Sequence, residues 1–318
     1  MSIIPCNHNA SSEVKNVLHY LSKLRGEGIL TGQHTKTRTQ EELTYLKDVT
    51  GRQPALCGFE LLSYSPNIPY ETCNEECLKE IEANKDTLEN AWAWAEKKGL
   101  ITFTWHWFSP LGGTDKSFYA KNTDYDPIKA ATEGTEEYRA LLSDMDHMAE
   151  LLKTFCDRRI PILWRPFHEA DGIWFWWGRS GPEAAKKLYH IMYERYTKYH
   201  GLDNLIWIWN SSDREGYVGD HFCDIISKDI YPQAHHHSDL AEAYKELMRI
   251  STEGKPASIT EIGTIPSILK LSKTRIPWLW FMTWCEEILS EKYTYKYELY
   301  QAYNHNYAVT LDKLPELY

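Results

Sequence analysis

The feature that most constrains this chain is the alternation of two kinds of segment along almost its whole length. Stretches with apolar residues spaced as on one helix face predict helices: Ser12–Arg25, Thr39–Asp48, Cys73–Lys98, Thr135–Arg158, Gly181–His200, Leu240–Ser251, Tyr295–His305 and a shorter one near Ile265–Ser272. Between them, short apolar runs rich in β-branched and aromatic residues predict buried strands: Ile29–His34, Ala55–Glu60, Leu100–His106, Ile160–Glu169, Leu205–Asn210, Cys223–Tyr231, Ala257–Gly263 and Leu279–Trp284. Repeated strand–helix units of this kind predict a parallel sheet.

Eight strands favour an α/β fold of the closed (β/α)₈ TIM-barrel type over an open doubly wound sheet. The open fold places a Gly-rich phosphate turn after its first strand, but the segment Leu30-Thr-Gly-Gln-His34 has a single Gly. No Pro- or Gly-rich linker, low-complexity segment or block of charge marks a domain boundary. We therefore expect residues 1–318 to form one catalytic barrel domain. Catalytic residues of such barrels stand at the carboxyl ends of the strands.

The ends of the eight runs carry many polar and aromatic residues. Glu60 or Asn210, taken alone, is equally well explained as a structural residue. The whole set is harder to explain in that way: Gln33, His34, Glu60, Trp105, His106, Trp107, His168, Glu169, Asn210, Asp229, Tyr231, Glu261 and Trp284.

Two glutamates in this set suggest a chemistry. Glu169 ends the fourth run and Glu261 the seventh, nearly across the mouth of an eight-stranded barrel. Paired carboxylates cleave glycosidic bonds, with retention or inversion according to their separation. The aromatic run after Glu169 favours its protonated form, whereas hydrogen bonds from Arg165 or Tyr231 would keep Glu261 ionised. We therefore predict that Glu169 is the acid/base and Glu261 the nucleophile.

Aromatic residues are abundant, with 13 Trp, 21 Tyr and 9 Phe. Most are expected to pad the barrel and its helices, Trp176 among them. Four stand where a flat ring could stack on the apolar face of a sugar, and we expect this role for Trp107, Trp174, Tyr231 and Trp284.

Other functions find little support in the sequence. The 35 basic and 45 acidic residues give a net charge of −10, without the basic stripe that nucleic-acid binding needs, and no apolar run is long enough to span a membrane. His168 begins a segment like the zinc-protease motif, but Gly172 occupies the position of the second histidine. We expect no cofactor and no functional metal, with His235, His236 and His237 in a loop above the sixth strand. The seven cysteines are interpreted as ordinary thiols, Cys73 and Cys77 included.

The segment Trp164-Arg-Pro-Phe-His-Glu-Ala-Asp-Gly-Ile-Trp-Phe-Trp-Trp-Gly178 resembles the signature of glycoside hydrolase family 26, the β-mannanases. Further similarity lies in Ile101-Thr-Phe-Thr-Trp-His-Trp107, Asn204-Leu-Ile-Trp-Ile-Trp-Asn210, Ser258-Ile-Thr-Glu-Ile-Gly263 and Phe281-Met-Thr-Trp284. The resemblance also places the chain in a larger clan of glycoside hydrolases, whose members commonly have Asn before the acid/base glutamate. This family has His at that position, which is His168 here. Cys285 stands where some relatives place an arginine that contacts a distal sugar, and Val218 replaces a usual proline.

The resemblance implies a retaining enzyme that cleaves β-1,4-mannosidic bonds in mannan, glucomannan or galactomannan. It also implies that five residues surround the sugar at the cleavage point, namely His106, His168, Asp229, Tyr231 and Trp284, and that Trp174 packs on the leaving side. We count Arg165 among the substrate-binding residues. Alternatives with the same mechanism are action on mixed-linkage β-glucan or β-1,3-xylan, and release of mannobiose from chain ends.

A second class of hypothesis is a non-catalytic carbohydrate-binding protein on a barrel scaffold, which predicts loss or displacement of one glutamate. Both glutamates are present at the expected strand ends. We expect a monomer that is secreted if a leader is missing from the printed chain, or cytoplasmic if the chain is complete as written.

Overall fold

Eight parallel strands close into a barrel in the computed structural model, which describes residues 3–36 and 38–318. Each strand pairs with the next in chain order, and β1 pairs with both β8 and β2, so no edge of the barrel is open. The strands are β1 (Ile29–His34), β2 (Leu56–Glu60), β3 (Leu100–Thr104), β4 (Ile162–Arg165), β5 (Leu205–Asn210), β6 (Ile225–Ile230), β7 (Ala257–Ile262) and β8 (Trp278–Thr283). The predicted (β/α)₈ barrel is confirmed.

Helices connect the strands around the outside. They are α1 (Ser12–Leu24), α2 (Glu41–Thr50), α3 (Glu75–Ala83), α4 (Thr87–Glu96), α5 (Pro127–Ala130), α6 (Glu136–Cys156), α7 (Pro182–Glu194), α8 (Ala241–Leu247), α9 (Ile268–Thr274) and α10 (Lys296–Asn304). A π-helical turn, Arg195–Tyr199, continues α7, and short 3₁₀ turns lie at Leu62–Tyr64, Ala120–Asn122 and Leu311–Lys313. Within the described residues, no helix has both the length and the apolar composition needed to cross a bilayer.

Side chains alternate between the inside and the outside of the barrel, as the strand period requires. Leu30, Leu56, Leu100 and Leu163 pack in a cluster with the apolar face of α1, which covers the amino-terminal end of the barrel. The same alternation, carried along each strand, points Glu60, Arg165 and Asn210 into the mouth at the opposite end. A two-residue strand, β9 (Ala308–Val309), adds to the start of β1.

The fourth strand is shorter than predicted. It ends at Arg165, not at Glu169, because Pro166 has no N–H to continue the ladder and the backbone of Phe167 turns to a φ of +51°. Glu169 has a φ of +51° as well. The segment after β4 therefore curls over the barrel mouth and carries Glu169 with it.

The predicted helix Cys73–Lys98 is wrong as a single helix. It is two helices, α3 and α4, separated at Asn84–Asp86, where the Asn84 side chain bonds back to the carbonyl of Glu80 and Asp86 has a φ of +62°. The break lets the hydroxyl of Thr87 donate to the carbonyl of Glu60 at 2.9 Å. The interruption thus fixes the end of β2 at the barrel mouth.

Candidate active site

The two glutamates predicted from the strand ends face each other in the barrel mouth. Oxygen atoms of Glu169, Asp229 and Glu261 all lie within 4.8 Å of one another. Carboxyl groups about 5–5.5 Å apart are typical of retaining glycosidases, and inverting enzymes need about 6.5–9.5 Å to admit a water. The short separation favours the retaining arrangement.

Glu261 is buried and receives hydrogen bonds on both oxygens. The guanidinium of Arg165 pairs with Oε1, and the hydroxyl of Tyr231 donates to Oε2 at 2.8 Å. Burial and the charge of Asp229 raise the pKa of Glu261, and the ion pair with Arg165 opposes this rise. A carboxylate that bonds to a cation and a phenol through separate oxygens is aligned as an acceptor, which suits a nucleophile.

A register shift in the sheet places Asp229 beside Glu261. The pairing of β6 with β7 slips after Lys228, so that Asp229 lies directly opposite Glu261. Arg165 bridges the two carboxylates, with 2.8 Å to Asp229. Asp229 also accepts from the hydroxyl of Thr260 at 2.7 Å. These contacts hold Arg165 in one orientation beneath the nucleophile.

Glu169 has a different environment. Its backbone N–H donates to the side-chain oxygen of Asn210 at 2.5 Å, which fixes the strained turn, and its carboxylate accepts from the indole N–H of Trp174 at 2.6 Å. Burial and the charge of Asp229 raise the pKa of Glu169. Glu261 is paired with a cation, whereas Trp174 gives Glu169 a neutral donor, so the Coulombic attraction to Arg165 favours the ionised form of Glu261.

A chain of hydrogen bonds supports the other side of the mouth. The Glu60 carboxylate accepts from the backbone N–H of His106 at 2.7 Å and pairs with its ring Nδ1 at 2.8 Å. Burial lowers the pKa of His106, but the Glu60 carboxylate outweighs burial and raises it. Burial and the nearby His106 lower the pKa of His168. The Nε2 atoms of the two histidines are 3.1 Å apart, so His106 donates to a neutral His168.

Three of the four predicted stacking rings reach the cleft. Trp174 is 48% exposed, Tyr231 is 50% exposed and Trp284 is half-buried. The prediction for Trp107 is wrong, because this ring is 2% exposed, stacks on Trp105 with centroids 4.1 Å apart and donates to Asp144. Trp176 is buried, which confirms its predicted core position.

Arg165 and His168 also differ from prediction. Each is 1% exposed, so neither presents a surface that a sugar could contact. Arg165 acts on Glu261 and Asp229, and His168 lies behind His106. Their interpretation as direct substrate contacts is corrected to a positioning role.

Two residues that carry much of this geometry were seen at the strand ends but left out of the predicted site. Asn210 joins three neighbours through its amide, donating to Ser227, Asp229 and Thr260. Glu60 fixes His106. Side chains alternate between the two faces of a strand, and this alternation puts the last residues of β2 and β5 on the inward face. That position is the sequence signal that could have identified both residues.

The three mouth carboxylates also have the spacing of a cation site. Arg165 already supplies a positive charge to Glu261 and Asp229, both at bonding distance. The positive charge of Arg165 therefore offsets part of the negative charge of these carboxylates. The chemistry derived below uses only these side chains.

Two cavities lie at the barrel mouth. One of about 510 Å³ is lined by His34, Glu60, His106, Trp284 and Cys285, among others. The other, of about 120 Å³, is lined by Glu169, Trp174, Asn210 and neighbouring residues. Open space therefore borders both the Glu169 side and the His106 side of the mouth.

A (β/α)₈ barrel with facing carboxylates near the ends of strands four and seven defines the class of barrel glycoside hydrolases. The family model described as Glycosyl hydrolase family 26 matches residues 6–313, and the chain belongs to this family. A mannan endo-1,4-beta-mannosidase from Thermothelomyces thermophilus is 34% identical over 97% of this chain, which spans 62% of that protein's length.

Two solved structures of similar proteins share the fold. The GH26-CBM35 beta-(1,4)-mannanase of Podospora anserina has a TM-score of 0.89 and 33% identity, covering 100% of this chain and 70% of that one. The beta-mannanase from a symbiotic protist of the termite Reticulitermes speratus, complexed with gluco-manno-oligosaccharide, has a TM-score of 0.87 and 27% identity, covering 99% and 98%.

Proposed function

We propose that this protein is a mannan endo-1,4-β-mannosidase that cleaves β-1,4-mannosidic bonds in mannan, glucomannan or galactomannan with retention of configuration. The observation that carries the proposal is the pair Glu169 and Glu261, whose oxygens lie within 4.8 Å and of which, among the described residues, Glu261 alone is bonded to a cation. The named relatives support mannan as the glycan.

The first step forms a bond between Glu261 and the anomeric carbon. The ionised carboxylate, aligned by Arg165 and Tyr231, attacks while protonated Glu169 donates its proton to the departing glycosidic oxygen. The products are a mannosyl ester on Glu261 and a shortened glycan. Glu169 leaves this step ionised.

The second step reverses these roles. Glu169, now a base, takes a proton from water, and the water oxygen displaces Glu261 from the anomeric carbon. Two inversions give net retention, and both carboxyl groups return to their starting protonation states. Arg165 and Tyr231 contact Glu261, whereas Trp174 contacts Glu169, so the two carboxyl groups keep different environments in both steps.

The remaining cleft residues hold the glycan. His106 is held by Glu60 and His168 and lines the larger cavity beside Trp284. The rings of Trp174 and Trp284 suit the apolar face of a pyranose. Trp174 adjoins Glu169 and the smaller cavity, so it belongs on the leaving side. The cavities beside Glu169 and beside His106 and Trp284 give room for several sugars, which supports attack within the chain.

The catalytic assignment is tested by replacement of each glutamate. We expect Glu169→Ala and Glu261→Ala each to lower kcat on mannan by at least about 10³-fold. Sodium azide added to Glu261→Ala, with a dinitrophenyl mannobioside as substrate, should give an α-mannosyl azide. Glu215→Ala removes an exposed carboxylate and serves as the control. Normal turnover in either catalytic variant contradicts the assignment.

The glycan and the mode of attack need their own measurement. Reducing-sugar release from purified mannan, glucomannan, mixed-linkage β-glucan and β-1,3-xylan should be highest on the first two. Products of mannohexaose should include several lengths from the start of the reaction. Mannobiose as the sole early product would show release from chain ends instead, and absence of turnover on all four would favour a non-catalytic binding protein.

All residues of the proposed mechanism come from one chain. We therefore propose that the monomer is sufficient for activity. Size-exclusion chromatography gives the range of protein concentration in which the oligomeric state is known, and specific activity is measured across that range. Constant specific activity supports the proposal, and a loss of specific activity on dilution contradicts it.

A further inference from the structure

A second cluster of ligating side chains lies in the loops that follow β6 and β8. His235 and His237 stand in the loop between β6 and α8, and Glu298 in the first turn of α10. One ligand atom from each residue lies within 4.8 Å of the other two. The three residues play no part in the proposed hydrolysis.

The contact between His237 and Glu298 needs a positive charge. The Nδ1 atom of His237 is 2.8 Å from the backbone carbonyl of Ile265, so Nδ1 carries the proton. In the neutral ring, Nε2 then has only a lone pair, yet it faces a carboxylate oxygen of Glu298 at 3.0 Å. Two acceptors at this distance repel unless a proton or a metal ion lies between them.

The position of His237 resembles that of a metal ligand in one further respect. A ligating histidine usually donates its other ring N–H to a carbonyl or a carboxylate, which fixes the tautomer and the orientation of the ring. The carbonyl of Ile265 does this here. Lys270 donates to the backbone carbonyl of His237 at 3.0 Å, so its ammonium group is engaged with the backbone.

His235 is held toward the same point. Its backbone has a φ of +60°, its N–H donates to the carbonyl of Tyr293 at 3.0 Å, and its ring stacks on Tyr295 with centroids 4.0 Å apart. Its Nδ1 atom is buried and has no hydrogen-bond partner among the described residues. One nitrogen of this ring lies in the cluster with Glu298 and His237, and an imidazole with an unpartnered nitrogen in that setting is suited to a cation.

We propose that His235, His237 and Glu298 bind one divalent transition-metal ion of the zinc type. Two imidazoles and one carboxylate are a common ligand set for Zn²⁺, with bonds of about 2.0–2.2 Å and a fourth position left for water. Ligand atoms of a tetrahedral site are then about 3.4 Å apart, which small side-chain rotations reach from the present spacing. A cavity of about 490 Å³ borders His237 and Glu298 and leaves room for that water.

The ion adds a link between two parts of the chain that already meet through the backbone hydrogen bond from His235 to Tyr293. It ties the loop after β6 to the start of α10, and Tyr231, which donates to Glu261, lies four residues before His235. Binding to the folded chain alone raises stability by mass action. We therefore expect a structural role, separate from the catalytic carboxylates.

The test uses the untagged, EDTA-treated protein titrated with ZnCl₂ by calorimetry. We expect one equivalent of tight binding and a rise of a few degrees in Tm at saturating Zn²⁺. His235→Ala, His237→Ala and Glu298→Gln should each weaken binding at least tenfold and abolish the rise. Glu298→Gln keeps an oxygen to accept the N–H of Tyr295, so it preserves the helix cap, and circular dichroism checks that each variant is folded.

The chain offers two matched controls. His236 is exposed and has no place in the cluster, so His236→Ala should bind Zn²⁺ as the parent does. Cys73, Cys77 and Asp115 form a competing ligand set, so the double variant Cys73→Ser/Cys77→Ser should retain the calorimetric site. Absence of stoichiometric binding, equal weakening by His236→Ala, or loss of binding in the cysteine variant would overturn the proposal.

Discussion

Single hydrogen bonds decide how the two glutamates differ. Glu261 is bonded to Arg165 and Tyr231, whereas the one side-chain donor to Glu169 is the indole of Trp174, within the described contacts. Both groups are carboxyl groups, so the roles proposed for them rest on these partners and on burial. The indole N–H stabilises the ionised form of Glu169 and thereby lowers its pKa.

Trp174→Phe tests the contribution of that hydrogen bond. The variant keeps an aromatic face but removes the N–H donor, so the pKa of Glu169 should rise further. Because Glu169 must be protonated to act as the acid, the alkaline limb of kcat/KM against pH should move to higher pH, with a loss of at most about tenfold at the optimum. A limb that stays in place or moves to lower pH would count against Glu169 as the acid.

Residue type and strand position allowed the prediction of Glu169 and Glu261, but not of every side-chain direction. Trp107 has the same strand-end position as His106, yet it turns inward. Its indole meets Asp144 of α6 and the ring of Trp105. No local pattern near Trp107 encodes a carboxylate 37 positions further along the chain, so its burial could not be predicted.

At the scale of elements, the strands determine the site by the direction of their last residues. β5 ends on Asn210, whose amide joins the turn after β4 to β6 and β7 through Glu169, Asp229 and Thr260. One side chain thus couples four neighbouring strands of the barrel. The strained backbone of Glu169 depends on it.

Asn210→Ala should therefore disturb the acid more than the fold. The change leaves the Glu169 N–H without a partner and lowers the free energy of unfolding by about 1–3 kcal/mol. We expect kcat on mannan to fall about 10–100-fold, with a smaller loss on a dinitrophenyl mannobioside, whose leaving group needs no proton. Ser227→Ala removes one acceptor of the Asn210 amide and a hydrogen bond to the carbonyl of Trp209, but it leaves the Asn210 oxygen bonded to Glu169, so it is the matched control. Equal losses on both substrates would argue against a role in placing Glu169.

Most of the elements followed from the sequence, although α5 and β9 were not predicted and two boundaries were missed. The alternation of apolar runs predicted all eight barrel strands, because strand and helix periods are local properties. The break at Asn84–Asp86 was missed, since the apolar spacing continues across it. The early end of β4 was missed because the apolar character of Trp164 and Phe167 outweighed the effect of Pro166 in the prediction.

For the molecule as a whole, buried carboxyl groups couple stability to pH. Asp144, in α6, accepts from Trp107 and Asn67, and burial raises its pKa to about 7. In the unfolded chain the group ionises near its ordinary pKa, so between the two values the folded protein binds more protons. Stability from this group is present at low pH and is lost as pH rises toward and through 7.

Asp144→Asn removes this titration. We expect the Tm of the variant, relative to that of the parent, to increase from pH 5 to about pH 7 and to level off by pH 8. The difference between the two proteins matters, because Glu169, Glu261 and His106 titrate in both. Differential scanning fluorimetry over this pH range makes the measurement. A constant difference, or one that decreases with pH, would contradict the raised pKa of Asp144.

The sequence by itself determined the barrel and the location of its chemistry. The hydrophobic periodicity of strands and helices depends on residues close together in the sequence, and parallel strands bring their carboxyl ends to one face of the barrel. This is why Glu169 and Glu261, 92 positions apart, could be predicted to meet. The family signature around Trp164–Gly178 depends on the same local residues.

The tertiary structure alone decided which side chains face the cleft and what holds them. The burial of Trp107, the bridge from Arg165 to Asp229 and Glu261, and the meeting of His237 with Glu298 all join elements distant in sequence. Their geometry depends on packing between helices and strands, on a register shift in the sheet and on left-handed turns. These are properties of the closed barrel, and no local period of the sequence specifies them.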